Sequence, residues 1–194
     1  MGWGRKVVCA FVKVAQRVVY RLKIEGLENI PKEGAAVLCA NHVHAFDSVL
    51  CGANIKRMVY AMAKEELFKT KFKNKFMREM GCFPVKRGAA GEEAINRALE
   101  ILDGGDLLLI FPEGTRNGLA KGVKPKKGAA LIAVKAKVPI IPIGFNGTFK
   151  LFSKVTIRIG KPINLSKYYE VDSIARCLPE ITNNVMGEVL ELAK

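Results

Sequence analysis

The amino-acid sequence predicts a single α/β domain in which helices flank a mixed, largely parallel central sheet, preceded by an amphipathic helix at the N-terminus. Short apolar stretches alternate along the chain with stretches whose apolar residues recur at helical spacing, as in β-α-β units. Residues 107–111 form an uninterrupted apolar run, which is typical of a strand buried on both faces. The length of 194 residues suits one such domain.

The first element is a helix over residues 3–20, in which apolar positions recur at helical spacing with basic residues between them. The apolar positions are Trp3, Val7, Val8, Phe11, Val14, Ala15, Val18 and Val19. Lys13, Gln16 and Arg17 interrupt the stretch and no small-residue cleavage site follows, so a secretory signal peptide is disfavoured. Two interpretations stay open: the helix lies in an anionic membrane interface, or it packs on its own domain.

The remaining elements follow from the same patterns. Strands are predicted at residues 35–40, 57–63, 83–85, 107–111 and 155–159, and helices at residues 65–80, 92–102, about 128–137 and about 179–193. Gly81 suits the end of the second helix, because glycine readily adopts the left-handed conformation found there. Residues 138–145 are also apolar, but Pro139 and Pro142 disfavour an ordinary central strand in this segment.

The charge of the chain indicates an anionic partner. Lys and Arg number 32 against 18 Asp and Glu, a formal net charge of +14, and basic residues are concentrated at 56–78 and 117–137. Such an excess suits nucleic acid, an anionic membrane surface, or an acidic carrier or substrate. The five cysteines are scattered without a CxxC pair, which predicts reduced thiols in a cytosolic setting. No apolar run approaches the roughly 20 residues that span a bilayer, which excludes an integral multi-span protein.

Both histidines of the sequence lie within residues 41–47, directly after the apolar strand at 35–40. His42 falls where that strand ends, which is the usual place for ligand-contacting residues in an α/β sheet. Asp47 can orient the imidazole and stabilise its protonated form if a strand-to-helix turn brings the two side chains together. The pattern therefore predicts a dyad of His42 and Asp47. The alternative is a pair of histidines that only satisfy hydrogen bonds in a loop.

A metal site in the same segment is the less favoured interpretation. Cys39, His42, His44 and Asp47 are all possible ligands. On an extended chain, however, Cys39 points to the opposite face from the two histidines. The sequence also has no CxxC or HExxH motif and no distant histidine to complete a ligand shell, so we expect no metal.

Three further segments carry candidate functional residues. Residues 111–116, with the sequence FPEGTR, follow a buried strand and expose Glu113, Thr115 and Arg116. Arginine suits a phosphate because its planar fork binds two oxygens at once. Residues 81–88 place Arg87 after the strand at 83–85, and residues 138–144 form the apolar segment with two prolines. Taken singly, each segment also has an ordinary structural explanation.

Together, the motifs NHx4D, GxFPVxR, FPEGTR and VPIIPI resemble the four sequence blocks of the glycerolipid acyltransferase family. Within that family the sequence is most similar to the bacterial 1-acyl-glycerol-3-phosphate (lysophosphatidic acid) acyltransferases. The resemblance covers about residues 35–165. The first and third blocks are highly specific, the second is moderately so, and the fourth is weak alone. No defining position departs from the family pattern.

The resemblance implies a role for each matching residue. His42 would be the general base that takes a proton from the free hydroxyl of a lysophospholipid, and Asp47 would hold its imidazole. The glycerol phosphate would be held by Arg87, Glu113, Gly114, Thr115 and Arg116, and Pro139 would help to shape the acyl side. No GxSxG elbow exists and Cys39 lies in a predicted buried strand, so a covalent acyl-enzyme is not needed.

The implied reaction moves a fatty acyl group from acyl carrier protein or coenzyme A to the sn-2 hydroxyl of lysophosphatidic acid, giving phosphatidic acid without a cofactor. Residues 1–26 would form a membrane-surface helix and residues 27–194 the acyltransferase domain. The expected location is the cytoplasmic face of the cell membrane, as a peripheral or monotopic enzyme on an anionic surface.

Two alternatives to this reaction stay open. The first keeps the family but acylates a different lysophospholipid or lyso-aminolipid. The second, from another class, is a nucleic-acid-binding module. It is disfavoured because only 8% of residues are aromatic and no helix-turn-helix or zinc-finger spacing is present, so we expect no nucleic-acid partner.

Overall fold

Seven strands form one sheet in the order β1-β7-β6-β2-β5-β3-β4 within residues 3–85 and 91–194, which are the residues that the computed structural model describes. The strands are β1 (Arg21–Glu25), β2 (Ala36–Ala40), β3 (Val59–Lys64), β4 (Cys82–Val85), β5 (Leu107–Ile110), β6 (Ile140–Gly147) and β7 (Lys154–Ile159). The helices are α1 (Trp3–Val19), α2 (Asp47–Asn54), α3 (Lys71–Glu79), α4 (Glu92–Asp103), α5 (Gly128–Lys135) and α6 (Ile174–Leu192).

All neighbouring strands pair in parallel except β6 and β7, which are antiparallel. Strands β2 to β6 therefore end at one edge of the sheet, which we call the carboxyl edge, and β1 and β7 begin there. The chain after Ala40, Ile110 and Gly147 emerges at this edge. The predicted α/β architecture with a mixed, largely parallel sheet is confirmed.

Alternating side chains of the central strands build two cores on opposite faces of the sheet, as the period of two in a strand requires. Val37 and Leu108 face the side that α4, α5 and α6 cover. Leu38 and Leu109 face the other side, where α2 packs and α1 lies over α2. The sheet is thus covered on both faces, and its carboxyl edge is left to the loops.

The N-terminal segment differs from the prediction at its end. The helix stops at Val19, and Arg21–Glu25 form strand β1, which pairs with β7 at the border of the sheet. Residues 21–25 are therefore part of the sheet rather than of the predicted helix over residues 1–26. Lys23 and Glu25 on a border strand weakened the apolar signal that would have predicted it.

Helix α1 has one face that packs on the domain and one face that is exposed, so the packing interpretation is confirmed and contact with a membrane stays a prediction. One face packs on the domain through buried Arg5, Val12 and Gln16. The guanidinium of Arg5 donates to the backbone oxygens of Glu79 at 2.8 Å and Gly52 at 3.1 Å. A second face is apolar and exposed, and consists of Trp3, Val7, Phe11, Val14 and Val18. Among the described residues, no helix is long and apolar enough to cross a membrane.

Three other elements differ from the prediction. The helix predicted at 65–80 is a 3-10 turn (Glu65–Phe68) followed by α3, because the Thr70 side chain caps α3 by accepting from the Lys73 N–H at 3.3 Å. Helix α6 begins at Ile174 and includes Pro179. Strand β6 is central despite Pro142. Its antiparallel ladder with β7 begins only at Ile143, so the missing N–H of the proline faces no partner strand.

Candidate active site

His42 and Asp47 form a hydrogen-bonded pair at the carboxyl edge. Strand β2 ends two residues before His42, and Asp47 is the first residue of α2. The turn between them brings the His42 Nδ1 to 2.8 Å from the Asp47 Oδ2. The imidazole is 22% exposed and the carboxylate is fully buried. The base-and-carboxylate geometry that the sequence predicts is therefore present.

One carboxylate oxygen shapes the whole turn. Asp47 Oδ2 also accepts the backbone N–H groups of Val43 and His44, each at 2.8 Å. Because an ionised carboxylate only accepts hydrogen bonds, this contact calls for a proton on Nδ1, and a neutral imidazole of that form presents a bare Nε2. This is the tautomer that a general base requires.

Asn41 is a supporting residue that the sequence analysis left without a role. Its buried amide accepts from the Phe145 N–H at 2.7 Å and donates to the Phe145 oxygen at 3.0 Å. The side chain thus continues the pairing of β2 with β6 by one residue and holds the chain directly before His42. A polar residue directly after an apolar strand was the only sign of this role in the sequence. It could not identify Phe145 as the partner, because Phe145 lies 104 residues further along the chain.

The FPEGTR segment lies against the same histidine. The ring of Phe111 stacks on the His42 imidazole, with centroids 4.3 Å apart. Glu113 is buried, and its two oxygens accept the N–H groups of His42 and Leu119, each at 2.8 Å. The Glu113 carboxylate therefore joins the loop that carries His42 to the loop after β5. The contact of Glu113 with a glycerol phosphate, which the resemblance implies, stays a prediction.

Beyond Glu113 the chain turns outward, and Gly114, Thr115 and Arg116 are exposed at the carboxyl edge. Gly114 has a φ of +63°, and a Cβ there would lie 3.3 Å from the Lys126 side chain. Gly118 packs so closely on Glu113 that a Cβ would lie 2.9 Å from the glutamate Cβ. These two glycines therefore allow the loop to fold back over the buried carboxylate.

Among the described residues that were predicted for the site, Pro139 is not brought to this cluster. Arg87 lies outside the described residues. Pro139 precedes β6 at the amino end of the strand, where its oxygen accepts from the Val37 N–H at 3.0 Å. His42 lies five residues beyond Val37, about 17 Å along an extended strand. The expected part of Pro139 in shaping the acyl side therefore finds no support in its position.

Cys39, Cys51 and Cys82 are buried thiols. Burial raises the pKa of Cys39 to about 12 and that of Cys82 to about 11. Both groups are therefore protonated at neutral pH and are poor nucleophiles. Among the described residues, no three His, Cys, Asp or Glu side chains are arranged to hold a metal ion.

Comparison with known proteins places these residues in a family context. A family model described as "Acyltransferase" matches residues 21–146, the span that contains every described residue of the cluster. The chain is 30% identical over 177 residues to the 1-acyl-sn-glycerol-3-phosphate acyltransferase of Bacillus subtilis, covering 88% of this chain and 87% of the relative. It is 33% identical to the enzyme of that name from Streptococcus pneumoniae, covering 67% of this chain and 50% of the relative.

A solved structure agrees with this result. The fold superposes on the crystal structure of the lysophosphatidic acid acyltransferase PlsC from Thermotoga maritima with a TM-score of 0.73 and 28% identity. The match covers 97% of this chain and 79% of that chain. The family model covers most of the chain, and the matched span contains the His42–Asp47 pair and the adjoining FPEGTR segment. This chain therefore belongs to the acyltransferase family.

Proposed function

We propose that this protein transfers a fatty acyl group from an acyl thioester to the sn-2 hydroxyl of 1-acyl-glycerol-3-phosphate, forming phosphatidic acid. The observation that carries the proposal is the 2.8 Å contact between His42 and buried Asp47 beside the FPEGTR loop, in a member of the acyltransferase family. The substrate class follows the relatives, which are named for this acceptor.

In the proposed mechanism, His42 is the general base. Its Nε2 takes the proton of the sn-2 hydroxyl while the hydroxyl oxygen attacks the thioester carbonyl. Asp47 stabilises the imidazolium through the Nδ1 hydrogen bond. When the tetrahedral intermediate collapses, the C–S bond breaks and the leaving thiolate takes the proton from Nε2. The ester and the free thiol are released, and His42 returns to its starting state.

The acceptor's phosphate is assigned to the exposed part of the FPEGTR loop. Arg116 is exposed, and its guanidinium makes no hydrogen bond or ion pair with the part of the chain that the structure describes. An arginine in this state is available for a bidentate contact with phosphate. Thr115 adds a hydroxyl beside it. The part predicted for Arg87 in phosphate binding stays a prediction.

The acyl donor is proposed to be a thioester of coenzyme A or acyl carrier protein, both of which are acidic. The net charge of +14 favours either donor. Direct transfer needs no thiol of the protein, and the raised pKa of Cys39, about 12, agrees with this scheme. Neither a cofactor nor a metal takes part in the proposed reaction.

The site of action is proposed to be an anionic membrane surface at the cytoplasmic face of the cell membrane. Helix α1 exposes an apolar face, with Trp3 80% and Phe11 72% exposed. Lys6, Lys13 and Arg17 follow a second line along the same helix. An apolar face flanked by basic residues is typical of a helix that lies in an anionic interface.

The test is acyl transfer by purified protein to lysophosphatidic acid in anionic vesicles, with acyl-CoA and acyl carrier protein donors in parallel. We expect His42→Ala to lower kcat by about 10²–10⁴-fold, because a positioned base typically contributes that much. His44→Ala, which keeps the dyad, should stay within about tenfold of the wild type. A wild type inactive with both donors on this acceptor, or a fully active His42→Ala, would contradict the proposal. Activity on another lysolipid would then identify the acceptor.

A further inference from the structure

The turn between β6 and β7, residues 148–153, exposes two large apolar side chains. Leu151 is 65% exposed and Phe152 is 66% exposed. We call this segment the β6–β7 hairpin. Single exposed apolar residues are ordinary on protein surfaces, but two adjacent ones at the tip of a turn form a patch that needs a partner.

The backbone conformation of the hairpin is unusual for the residues that it contains. Phe149 has a φ of 54° and Phe152 a φ of 58°. Bulky residues rarely adopt this left-handed conformation, and glycine or asparagine is the usual choice. Ring contacts account for Phe149, which lies against His44 with centroids 4.8 Å apart and Tyr20 with centroids 5.8 Å apart. No contact of this kind within the described chain accounts for the exposed Phe152.

The hairpin lies between the end of α1 and the loop of the catalytic base. The Phe152 N–H donates to the Val19 oxygen at 2.7 Å, and the Arg21 N–H donates to the Ser153 oxygen at 2.9 Å. On its other side, the Phe149 ring reaches His44, two residues after His42. The hairpin is therefore held at the carboxyl edge, next to the reactive histidine.

The apolar surface of the hairpin continues that of α1. The exposed face of α1 ends at Val18, directly before the residue that binds the Phe152 N–H. Exposed Lys150 and Lys154 flank the hairpin tip, and Arg17 lies at the end of the helix. Apolar side chains with cations beside them are complementary to an anionic bilayer, whose acyl region lies just below a negatively charged surface.

We propose that the β6–β7 hairpin is a second membrane anchor, which inserts Leu151 and Phe152 into the acyl region of an anionic bilayer beside the active site. The proposal rests on the membrane association proposed above. Helix α1 alone gives the domain a single line of contact with the bilayer. A second contact at the carboxyl edge holds His42 towards the bilayer, where the hydroxyl of an embedded lysolipid is located.

A single fluorescent reporter tests the insertion directly. Trp3 is the only tryptophan in the sequence, so Leu151→Trp in a Trp3→Phe background reports on the hairpin alone. With phosphatidylglycerol vesicles, we expect its emission to shift to the blue and to be quenched by lipids brominated on their acyl chains. The control reporter is Leu27→Trp in the same background, because Leu27 is 42% exposed and follows the opposite end of β1.

Each outcome decides the proposal. Quenching of the Leu151 reporter but not of the Leu27 reporter supports it. Quenching of Trp3 in the wild type without quenching at position 151 overturns the second anchor and leaves α1 as the membrane contact. Absence of quenching at both Trp3 and position 151 overturns membrane association altogether. Quenching at position 27 as well indicates unspecific adsorption and also overturns it. None of these fluorescence results depends on acyl transfer. Failure of the membrane anchor can therefore be distinguished from failure of the proposed reaction.

An activity experiment tests the consequence for catalysis. Leu151→Ser with Phe152→Gly removes the patch, and glycine suits the φ of 58°, so the variant should fold. We expect vesicle binding to weaken at least about tenfold, since the variant removes two large apolar side chains from the acyl region. Transfer to vesicle-embedded acceptor should fall likewise, whereas transfer between short-chain, monomeric substrates should match the wild type. Unchanged vesicle binding in this variant would overturn the proposal; Leu27→Ser is the matched control.

Discussion

Glu113 shows how one buried carboxylate can join two functional loops. Its two oxygens accept the N–H groups of His42 and Leu119, so the loop that carries His42 and the loop after β5 share one anchor. A buried carboxylate held by backbone amides is a poor partner for a phosphate, because both groups are anions. The geometry therefore favours a positioning role for Glu113 beside the exposed Arg116.

We expect Glu113→Ala to lower the free energy of unfolding by about 2 kcal/mol or more, because it leaves two amides without acceptors at about 1–3 kcal/mol each. Urea denaturation measures this change. The matched control is Glu100→Ala, which removes an exposed glutamate paired with Arg97 and should change stability by less than about 0.5 kcal/mol. Equal effects of the two variants would contradict the anchoring role.

Cys39 lies three residues before His42 but is predicted to take no part in the reaction. Burial raises the pKa of its thiol to about 12, so no appreciable thiolate exists at neutral pH. Cys39→Ala should therefore retain acyl transfer within about threefold of the wild type, far above the loss expected for His42→Ala. Trapping of an acyl group on Cys39, seen as an added mass on the protein, would instead reveal a covalent intermediate.

At the scale of elements, Gly144 determines how closely the end of α6 approaches β6. A Cβ at this position would lie 2.3 Å from the backbone carbon of Leu192. Helix α6 also meets β6 through Asn146, whose amide donates to the Ala193 oxygen at 2.6 Å. Only a residue without a side chain permits this contact between the helix end and the strand.

Gly144→Ala should therefore lower the free energy of unfolding by about 1–3 kcal/mol, the usual cost of overpacking a tight contact. Gly187→Ala is the control, because Gly187 lies within α6 and a Cβ there would meet nothing within 4 Å. That substitution should stabilise the protein by about 0.5–1 kcal/mol through its helix propensity. Thermal unfolding of both variants distinguishes them, and a neutral Gly144→Ala would be inconsistent with the packing.

Elements with a strong local pattern were predicted well, and those defined by distant partners were not. Helix α4 was predicted at residues 92–102 and spans Glu92–Asp103, because its apolar spacing and the glycines after it are local signals. Strand β1 was missed, since it exists through pairing with β7, about 130 residues further along the chain. Pro142 is compatible with a central strand only because β7 ends beside it, which the sequence of β6 cannot show.

For the whole molecule, the net charge of +14 predicts how association with membranes depends on salt. Binding to vesicles that contain phosphatidylglycerol should exceed binding to zwitterionic vesicles, with about 1 kcal/mol for each basic residue near the surface. It should weaken as NaCl rises, because the Debye length falls from about 10 Å at 0.1 M to 3 Å at 1 M. Vesicle sedimentation measures both trends. Binding that is indifferent to lipid charge and salt would contradict an electrostatic contribution.

The sequence by itself determined the α/β class, the order of the motifs and the pairing of His42 with Asp47. His42 and Asp47 are five residues apart, so a single turn is enough to bring them together, and local spacing carries that information. The membership of the acyltransferase family follows from the same motifs. In each case the signal lies within a short stretch of chain.

Only the tertiary structure decided which groups surround the dyad. Glu113 meets the His42 N–H across 71 residues, and Asn41 meets Phe145 across 104, through the register of the parallel strands. The packing of α1 on α2 likewise decided which of its apolar residues are buried and which face outward. Such contacts depend on how distant segments pair and pack, and no local pattern encodes a partner that the fold alone brings near.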